Sequence, residues 1–444
     1  MESKSSWCGE KSFDDVEALL TRCASPGIRP GLDRIERLLS LLGNPEGKYP
    51  AVHVVGTNGK GSTCAFLASV FREAGYKTAL YTSPHLESPG ERLLIDGIPL
   101  NASRWMAAVE TAARVLSEDS LLRKDPPSYF ELVTAAAFLL AAEEQVEIAV
   151  VEAGMGGRLD ATNLLPDVAC SVVASVSMDH AEFLGETLEK LAGEKFAVVR
   201  KDTPACYLGD TPELIPLFEQ FCAERGAEAR EVSRDADVKP LTVTSDGSSF
   251  DFAAAGMSIP GVRIGMIGRY QLANASLALL ALSCMKGRFA KLSESAVRRG
   301  MEEARWPGRL EIVSRNPIVV LDGGHNPDGV AKLTESVGEI WKNERIGIVY
   351  GVMRDKDYPE CLRLLKGLKS SLYATSVPGM ERSLPAGELA VFANSMGWKN
   401  EVPGYDDPFD AVEAASLHND VVLVCGSLYL IGWIRPFLTG NRRA

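Results

Sequence analysis

No stretch of the chain stays apolar for the roughly 18–20 residues that a membrane-spanning helix requires, so no membrane span is expected. The first segment, Met1-Glu-Ser-Lys-Ser-Ser-Trp-Cys8, has no apolar core of signal-peptide length, and no secretory leader is expected. The nine cysteines include no C-x-x-C pair. Their number is odd and several lie in apolar strand-like runs such as Val421–Cys425, which points to buried, reduced thiols in a cytoplasmic protein rather than a disulfide framework. Positive charge is in deficit: 47 Lys and Arg stand against 59 Asp and Glu, a formal net charge of −12. That balance argues against nonspecific nucleic-acid binding and leaves any nucleotide to a local site. Internal repeats of solenoid period and low-complexity tracts are also missing.

What is present is an ordinary globular composition, 46% hydrophobic and 24% charged over 444 residues, enough for two or three domains. Leu32, Ile35, Leu38, Leu39 and Leu42 share one helical face in 31–42. Ala51–Val55 reads as a buried strand. A glycine-rich loop follows, then a helix Ser62–Ala74 closed by Gly75, and a strand Lys77–Thr82. A helix over 128–145 leads to strands 146–151 and 168–176. Such alternation predicts an α/β fold with a mostly parallel sheet covered by helices. The stretch 203–265 differs, with a helix near 212–225 and then short strand-like pieces joined by Asp-Gly and Gly-Ser turns. Helices return at 270–287 and 293–304, and Trp306-Pro-Gly308 breaks the pattern. A second alternation then runs from a strand at 318–321 to one at 421–425. The boundary falls near 306–312, giving an N-terminal P-loop ATPase-like domain, 1–308, and a smaller Rossmann-like α/β domain, 309–444. A cleft between them is the expected active site.

Thr57, Asn58, Gly59, Lys60, Gly61 and Ser62 follow Gly56 between the strand and the helix. Glycines let backbone N–H groups approach phosphate oxygens, the helix N-terminus favours an anion, and Lys60 can reach β- and γ-phosphates. The spacing departs from G-x-x-x-x-G-K-[ST], because Gly61 separates Lys60 from Ser62. A plain strand-to-helix turn with Ser62 as N-cap is the alternative. Glu152 ends a strand, where a carboxylate suits magnesium on phosphate oxygens, although an exposed strand-end acid fits equally. Arg158 reads as a loop salt-bridge partner and Asp160 as a turn cap. His180 follows a strand-like run and Lys195 sits on a helix; locally, a structural histidine and a solvated lysine explain them. Ser128-Tyr-Phe-Glu131 fits a capping box. Asp322-Gly-Gly-His325-Asn-Pro327 is either a strand-end turn or a polar loop facing the cleft.

Together these residues resemble the folylpolyglutamate synthase and dihydrofolate synthase family, a branch of the Mur ligases. The resemblance runs from about Gly31 to Arg435. It is carried by Gly56–Ser62, Ser83-Pro-His-Leu86, Glu91-Arg92, Tyr129-Phe-Glu131, Glu152–Asn163, Asp179-His180, Gly193-Glu-Lys195, Trp306-Pro-Gly-Arg309, Asp322–Pro327 and Gly426-Ser-Leu-Tyr429. Ser128 stands where threonine is common and Gly324 where alanine is common. The resemblance implies an ATP- and Mg2+-dependent ligase that adds L-glutamate to a folate or dihydropteroate carboxylate through an acyl phosphate. It implies that Thr57–Ser62, Asn274, Arg309 and Asp322 bind ATP, and that Ser83, Glu152 and His180 hold the metal. Tyr129, Phe130 and Glu131, with Leu159, Asp160 and Ala161, would lie near the pterin. His325 and Ser427 would face the incoming glutamate, and Lys195 would be carbamylated. Lys60, Lys195 and His325 are the expected catalytic groups. The implied partners are small molecules, with no nucleic acid and no membrane, and a monomer is expected. A cell-wall Mur ligase and a nucleotide-binding module without ligase activity are the rival readings.

Overall fold

A computed structural model describes residues 11–178, 187–254 and 256–440. The described residues form three sheets. The first holds β1 (Ala51–Val55), β2 (Thr78–Tyr81), β3 (Leu93–Ile95), β4 (Ile98–Pro99), β5 (Ile148–Glu152), β6 (Val168–Val173), β7 (Ala205–Tyr207) and β8 (Ala229–Glu231), in the order β4-β3-β2-β5-β1-β6-β7-β8. Its pairings are parallel except for β2–β3 and β3–β4. β1, β5 and β6 are buried along their whole length, as expected of parallel strands covered by helices on both faces.

The helix after β1, Lys60–Glu73, is buried from Ser62 to Phe71. It packs against helices Arg269–Met285 and Glu294–Glu303. The second contact depends on Gly300, where a Cβ would stand 2.4 Å from the Cα of Val70. Two helices outside the sequence expectations, Phe13–Cys23 and Ala102–Glu118, begin at side-chain caps. Ser12 accepts from the Asp15 N–H and Asn101 from the Arg104 N–H.

The strand-like pieces of 203–265 prove to be an antiparallel meander, β9 (Ala236–Thr244), β10 (Gly247–Ala254) and β11 (Met257–Ile264). Phe250, Phe252, Ile259, Val262 and Ile264 alternate inward and join the main core. The third sheet holds β12 (Glu311–Arg315), β13 (Ile318–Asp322), β14 (Ile346–Tyr350), β15 (Ser371–Thr375), β16 (Gly404–Tyr405) and β17 (Val421–Cys425), in the order β12-β13-β17-β14-β15-β16. Only β12 is antiparallel to its neighbour. Apolar cores cover both of its faces. The first two sheets thus belong to an N-terminal unit and the third to a C-terminal unit. The carboxyl ends of β1, β5 and β13 all open on the cleft between them. No helix among the described residues is long and apolar enough to cross a membrane. Cys64, Cys170, Cys206, Cys222, Cys361 and Cys425 are buried free thiols, as the sequence led us to expect.

Candidate active site

The loop after β1 turns on two glycines in the left-handed half of φ, Gly56 at 148° and Gly59 at 86°. Gly59, not Ser62, is the N-cap of the helix, which begins at Lys60. Ser62 lies inside the first turn and its hydroxyl accepts from Gln271 Nε2 at 3.1 Å. A glycine N-cap offers no side chain, so the first-turn N–H groups lack the cap that serine would supply. Space also requires glycine here: a Cβ on Gly59 would lie 2.3 Å from Asn274 Oδ1, and one on Gly61 would lie 2.7 Å from the Trp306 ring. Asn274 is aimed at the loop by Gln271, whose Oε1 accepts from Asn274 Nδ2 at 3.0 Å. Thr57 is fixed by its N–H to Ser175 O, at 2.6 Å, and by its hydroxyl to Ser177 O, at 2.9 Å. Lys60 Nζ donates to Thr57 O at 3.1 Å, folding the ammonium over the loop.

Glu152 ends β5 with its side chain buried, accepting the Ser83 N–H at 3.1 Å. Burial pushes its carboxyl above the usual range; Lys60, the Ser83 N–H and Arg309 pull it back. Asp322 ends β13 and is also buried. It accepts from Gly324 N–H at 2.7 Å, Leu310 N–H at 2.9 Å and the Tyr270 hydroxyl at 3.3 Å. Burial raises its carboxyl too, against Arg309. His325 Nδ1 is 2.9 Å from Gly323 O. Ser427 caps the helix Leu428–Leu438, accepting from Tyr429 N–H at 3.2 Å.

Glu152, Asp322, His325 and Ser427 line one cleft of about 1210 Å³, together with Thr57–Ser62, Ser83, Asn274 and Arg309. The local alternatives for Glu152 and for the Asp322–Pro327 loop, an exposed acid and a plain turn, do not describe them.

Lys195 is 3% exposed, so the solvated-lysine expectation fails; Nζ donates to Gly56 O at 3.2 Å beneath the loop Gly56–Ser62. Arg158 is the surface partner of Glu194, at 2.9 Å, as its local pattern suggested. Tyr129, Phe130, Glu131, Leu159, Asp160 and Ala161 do not line the cleft. Glu131 closes the capping box with Ser128 and takes Arg34 at 3.2 Å. Asp160 accepts from the Met155 and Thr162 N–H groups and the Thr162 hydroxyl, capping the short helix Ala161–Leu164. Tyr129 donates to Glu17. Phe130 lies directly under Gly154, which does line the cleft. His180 lies outside the described residues. Among the described residues, no three His, Cys, Asp or Glu side chains group as a metal site.

Sequence reasoning missed how the units are joined. Asn58 bonds to Asn326 and Asp328, and Arg435 pairs with Glu87 and Glu311. Asn326 stood inside a quoted motif, but partners 268–270 residues apart leave no local signal.

The site therefore brings backbone donors, a lysine and an arginine together with buried carboxylates, a set of groups able to hold phosphate and a hard cation, all between two units. Residues 54–282 match the family model described as Mur ligase middle domain, and residues 308–428 match that described as Mur ligase, glutamate ligase domain. The dihydrofolate synthase/folylpolyglutamate synthase of Bacillus subtilis is 34% identical over 431 residues, covering 96% of this chain and 99% of its own. Among solved structures, a Mycobacterium tuberculosis folylpolyglutamate synthase complexed with ADP is 29% identical, with a TM-score of 0.88 over 97% of this chain and 98% of that one. An Escherichia coli relative in complex with DHPP and ADP is likewise 29% identical, with a TM-score of 0.86 over 98% of this chain and 99% of that one.

Proposed function

We propose, from the premise that the chain belongs to the folylpolyglutamate synthase/dihydrofolate synthase family of Mur ligases, that it joins L-glutamate to a folate or dihydropteroate carboxylate at the expense of ATP. The observation that carries this reading is the facing of two strand-end loops across one cleft, Gly56–Ser62 from the N-terminal unit and Asp322–Asn326 from the C-terminal unit. The division at 308/309 into an ATP-binding domain and a glutamate-ligase domain fits the same arrangement.

In the proposed reaction an oxygen of the acceptor carboxylate attacks the γ-phosphorus of ATP and ADP leaves. The amine nitrogen of glutamate then attacks the acyl carbon, the C–N bond forms and inorganic phosphate departs. Phosphoryl transfer relies on positioning and charge neutralisation more than on covalent help from the protein. Thr57–Ser62 would bind the phosphates through backbone N–H groups, with Lys60 and Arg309 as the cations. Asn274 and Asp322 would complete the ATP site. Magnesium would be held by Glu152, Ser83 and His180, and when bound it neutralises phosphate charge; the oxygen-bearing Glu152 and Ser83 suit a hard cation. The Gly323 carbonyl can only accept, so a neutral His325 ring would carry a proton on Nδ1, and the ring would face the incoming glutamate. Ser427 would lie beside that glutamate. Phe130, under Gly154, and the Leu159–Ala161 turn, set by Asp160, would shape the wall for the pterin, with Tyr129 and Glu131 fixing the helix behind it.

Lys195 is proposed to carry a carbamate. Its burial beside Gly56 supports this, because a carbamate nitrogen keeps one N–H for Gly56 O. A monomer in the cytoplasm is the setting we propose, in keeping with the free thiols.

The test pairs purified protein with ATP, glutamate and each acceptor in turn: dihydropteroate, tetrahydrofolate and a muropeptide precursor. Glutamate-dependent ADP release and a product one glutamyl unit heavier are expected with dihydropteroate and with reduced folates. Ligation of the muropeptide alone would transfer the chain to the cell-wall branch, and no ADP release with any acceptor would leave a nucleotide-binding module.

A further inference from the structure

We propose that Asp328 is a positioning residue of this reaction, holding the phosphate loop in register with the C-terminal unit through Asn58. The proposal rests on the reading of Gly56–Ser62 as the loop that takes the ATP phosphates.

Asn58 immediately precedes the left-handed Gly59 and lies two residues before Lys60. Both ends of its carboxamide are engaged by the other unit. Nδ2 donates to Asp328 Oδ2 at 2.7 Å and to Asn326 Oδ1 at 3.2 Å, and Oδ1 accepts from Asn326 Nδ2 at 3.2 Å. Asn326 is the N-cap of the helix Pro327–Ile340, its Oδ1 also accepting the Gly329 N–H at 2.8 Å. The amide pair is therefore anchored to the first turn of a helix rather than to a loose loop.

Asp328 reaches the phosphate loop by a second route. The same carboxylate oxygen accepts from the Ser177 hydroxyl at 3.4 Å, and the Ser177 N–H donates to Thr57 Oγ1 at 3.1 Å. Lys332, one turn along the helix, donates to that oxygen at 3.1 Å and lies 3.7 Å from Asp210 of the N-terminal unit. Hydrogen bonds to a charged acceptor are the stronger kind. The chain Asp210–Lys332–Asp328–Asn58 leaves the N-terminal unit and returns to it at the phosphate loop.

The consequence is mechanical. The phosphate loop and the helix that follows Asp322 and His325 are set against each other by these few bonds. A misplacement of about 1 Å between reacting groups costs about a hundredfold in rate. Loss of Asp328 should therefore act on turnover more than on nucleotide affinity.

The test uses the full-length chain with Asp328→Ala, Asp328→Asn, Asn58→Ala, the Asn58→Ala/Asp328→Ala pair and Lys60→Ala. The readouts are kcat, KM and the ADP Kd from calorimetry. Asp328→Ala should lower kcat about tenfold or more and shift the ADP Kd less than about threefold. Asp328→Asn, whose amide oxygen still accepts from Asn58, should recover most of the loss. The double variant should lose less than the product of the two single losses, because the Asn58–Asp328 bond is removed in both. Wild-type kcat in Asp328→Ala, equal losses in the alanine and asparagine variants, or additive losses in the pair would overturn the proposal. Where Asp328→Ala does not fold, Asn58→Ala breaks the same bonds from the loop side. The same split is expected there, and a weakened ADP Kd with unchanged kcat overturns it. An active Lys60→Ala would sink the phosphate-loop reading itself; an inactive Lys60→Ala beside a fully active Asp328→Ala would sink only the positioning role.

Discussion

Glu152 and Asp322 occupy equivalent places in the two units. Each ends a parallel strand, each is buried on the cleft, and burial raises both carboxyls while Arg309 opposes the shift. They differ in what the protein asks of them. Asp322 accepts from two backbone N–H groups and a tyrosine hydroxyl, and so pins Leu310, Gly324 and Tyr270 to the strand end. Glu152 accepts one such bond among the described residues, from Ser83. A carboxylate has about four acceptor positions, so Glu152 retains capacity for a cation that Asp322 has largely spent on its own loop. Strand-end position does not separate the two acids; the number of protein donors does.

Activity measurements break or sharpen this comparison, with Lys60→Ala as the yardstick. That variant removes a phosphate cation from a loop whose geometry is held by Gly59 and Thr57, so the fold should survive while glutamate-dependent ADP release drops by about a thousandfold or more. Near-normal turnover in the folded protein would remove the phosphate-loop assignment. Glu152→Gln keeps the shape and the acceptor for Ser83 but removes the charge. Turnover should fall by about a hundredfold or more, with the loss only partly offset by excess magnesium. Asp322→Asn should lose less, about tenfold, because its main contribution is to loop geometry. The reverse ranking would show that the donor count misassigns the two acids.

Much of the N-terminal side was legible because its information is local. A buried apolar strand, glycines around Lys60 and a following helix occupy one short window, and the strand 51–55 stands where expected. The expected helix Ser62–Ala74 begins two residues earlier because Gly59 supplies the left-handed cap. The meander of β9–β11 was read only as fragments, although its strands pair with their chain neighbours. Lys195 looked like a surface residue because helical spacing does not say which neighbours cover it. Tyr129–Glu131 and Leu159–Ala161 carried a family pattern, but a motif does not separate a residue that touches a ligand from one that holds the touching residue in place. Glu131 and Asp160 are both committed to caps.

Lys195 tests the same boundary between brace and reactive group. A carbamate there would add a carboxylate beside the phosphate loop, and Lys195→Ala would leave a vacated volume. Turnover should fall by about tenfold to a hundredfold and return in part with added short carboxylates. Lys195→Arg should not substitute, because guanidinium does not form this carbamate. Full activity of Lys195→Ala without added acid would make the residue a brace and not a reactive group.

The smallest expected effect concerns stability rather than rate. For an acid whose folded pKa lies above its unfolded value, the folded state holds the proton more tightly. Stability then falls as pH rises from the unfolded value through the folded one, and the penalty is full above it. Glu152 starts from 4.5 and Asp322 from 3.8, and both are raised by burial. Glu152→Gln removes that penalty and keeps an oxygen for Ser83, so at pH 7 it should be as stable as the parent or more stable. The gain should shrink as pH falls to 4.5 and below. Asp322→Asn also removes an ionisation penalty, but it turns an amide NH2 toward one of the N–H donors at Leu310 or Gly324. Leaving a buried donor without an acceptor costs about 1–3 kcal/mol, so Asp322→Asn should be less stable than the parent at pH 7. Urea midpoints for both variants between pH 4 and 7 should therefore diverge in opposite directions from the parent at neutral pH. A Glu152→Gln protein clearly weaker than the parent at pH 7, or an Asp322→Asn protein stronger than it, would mean that the protein's own hydrogen bonds do not distinguish the two acids.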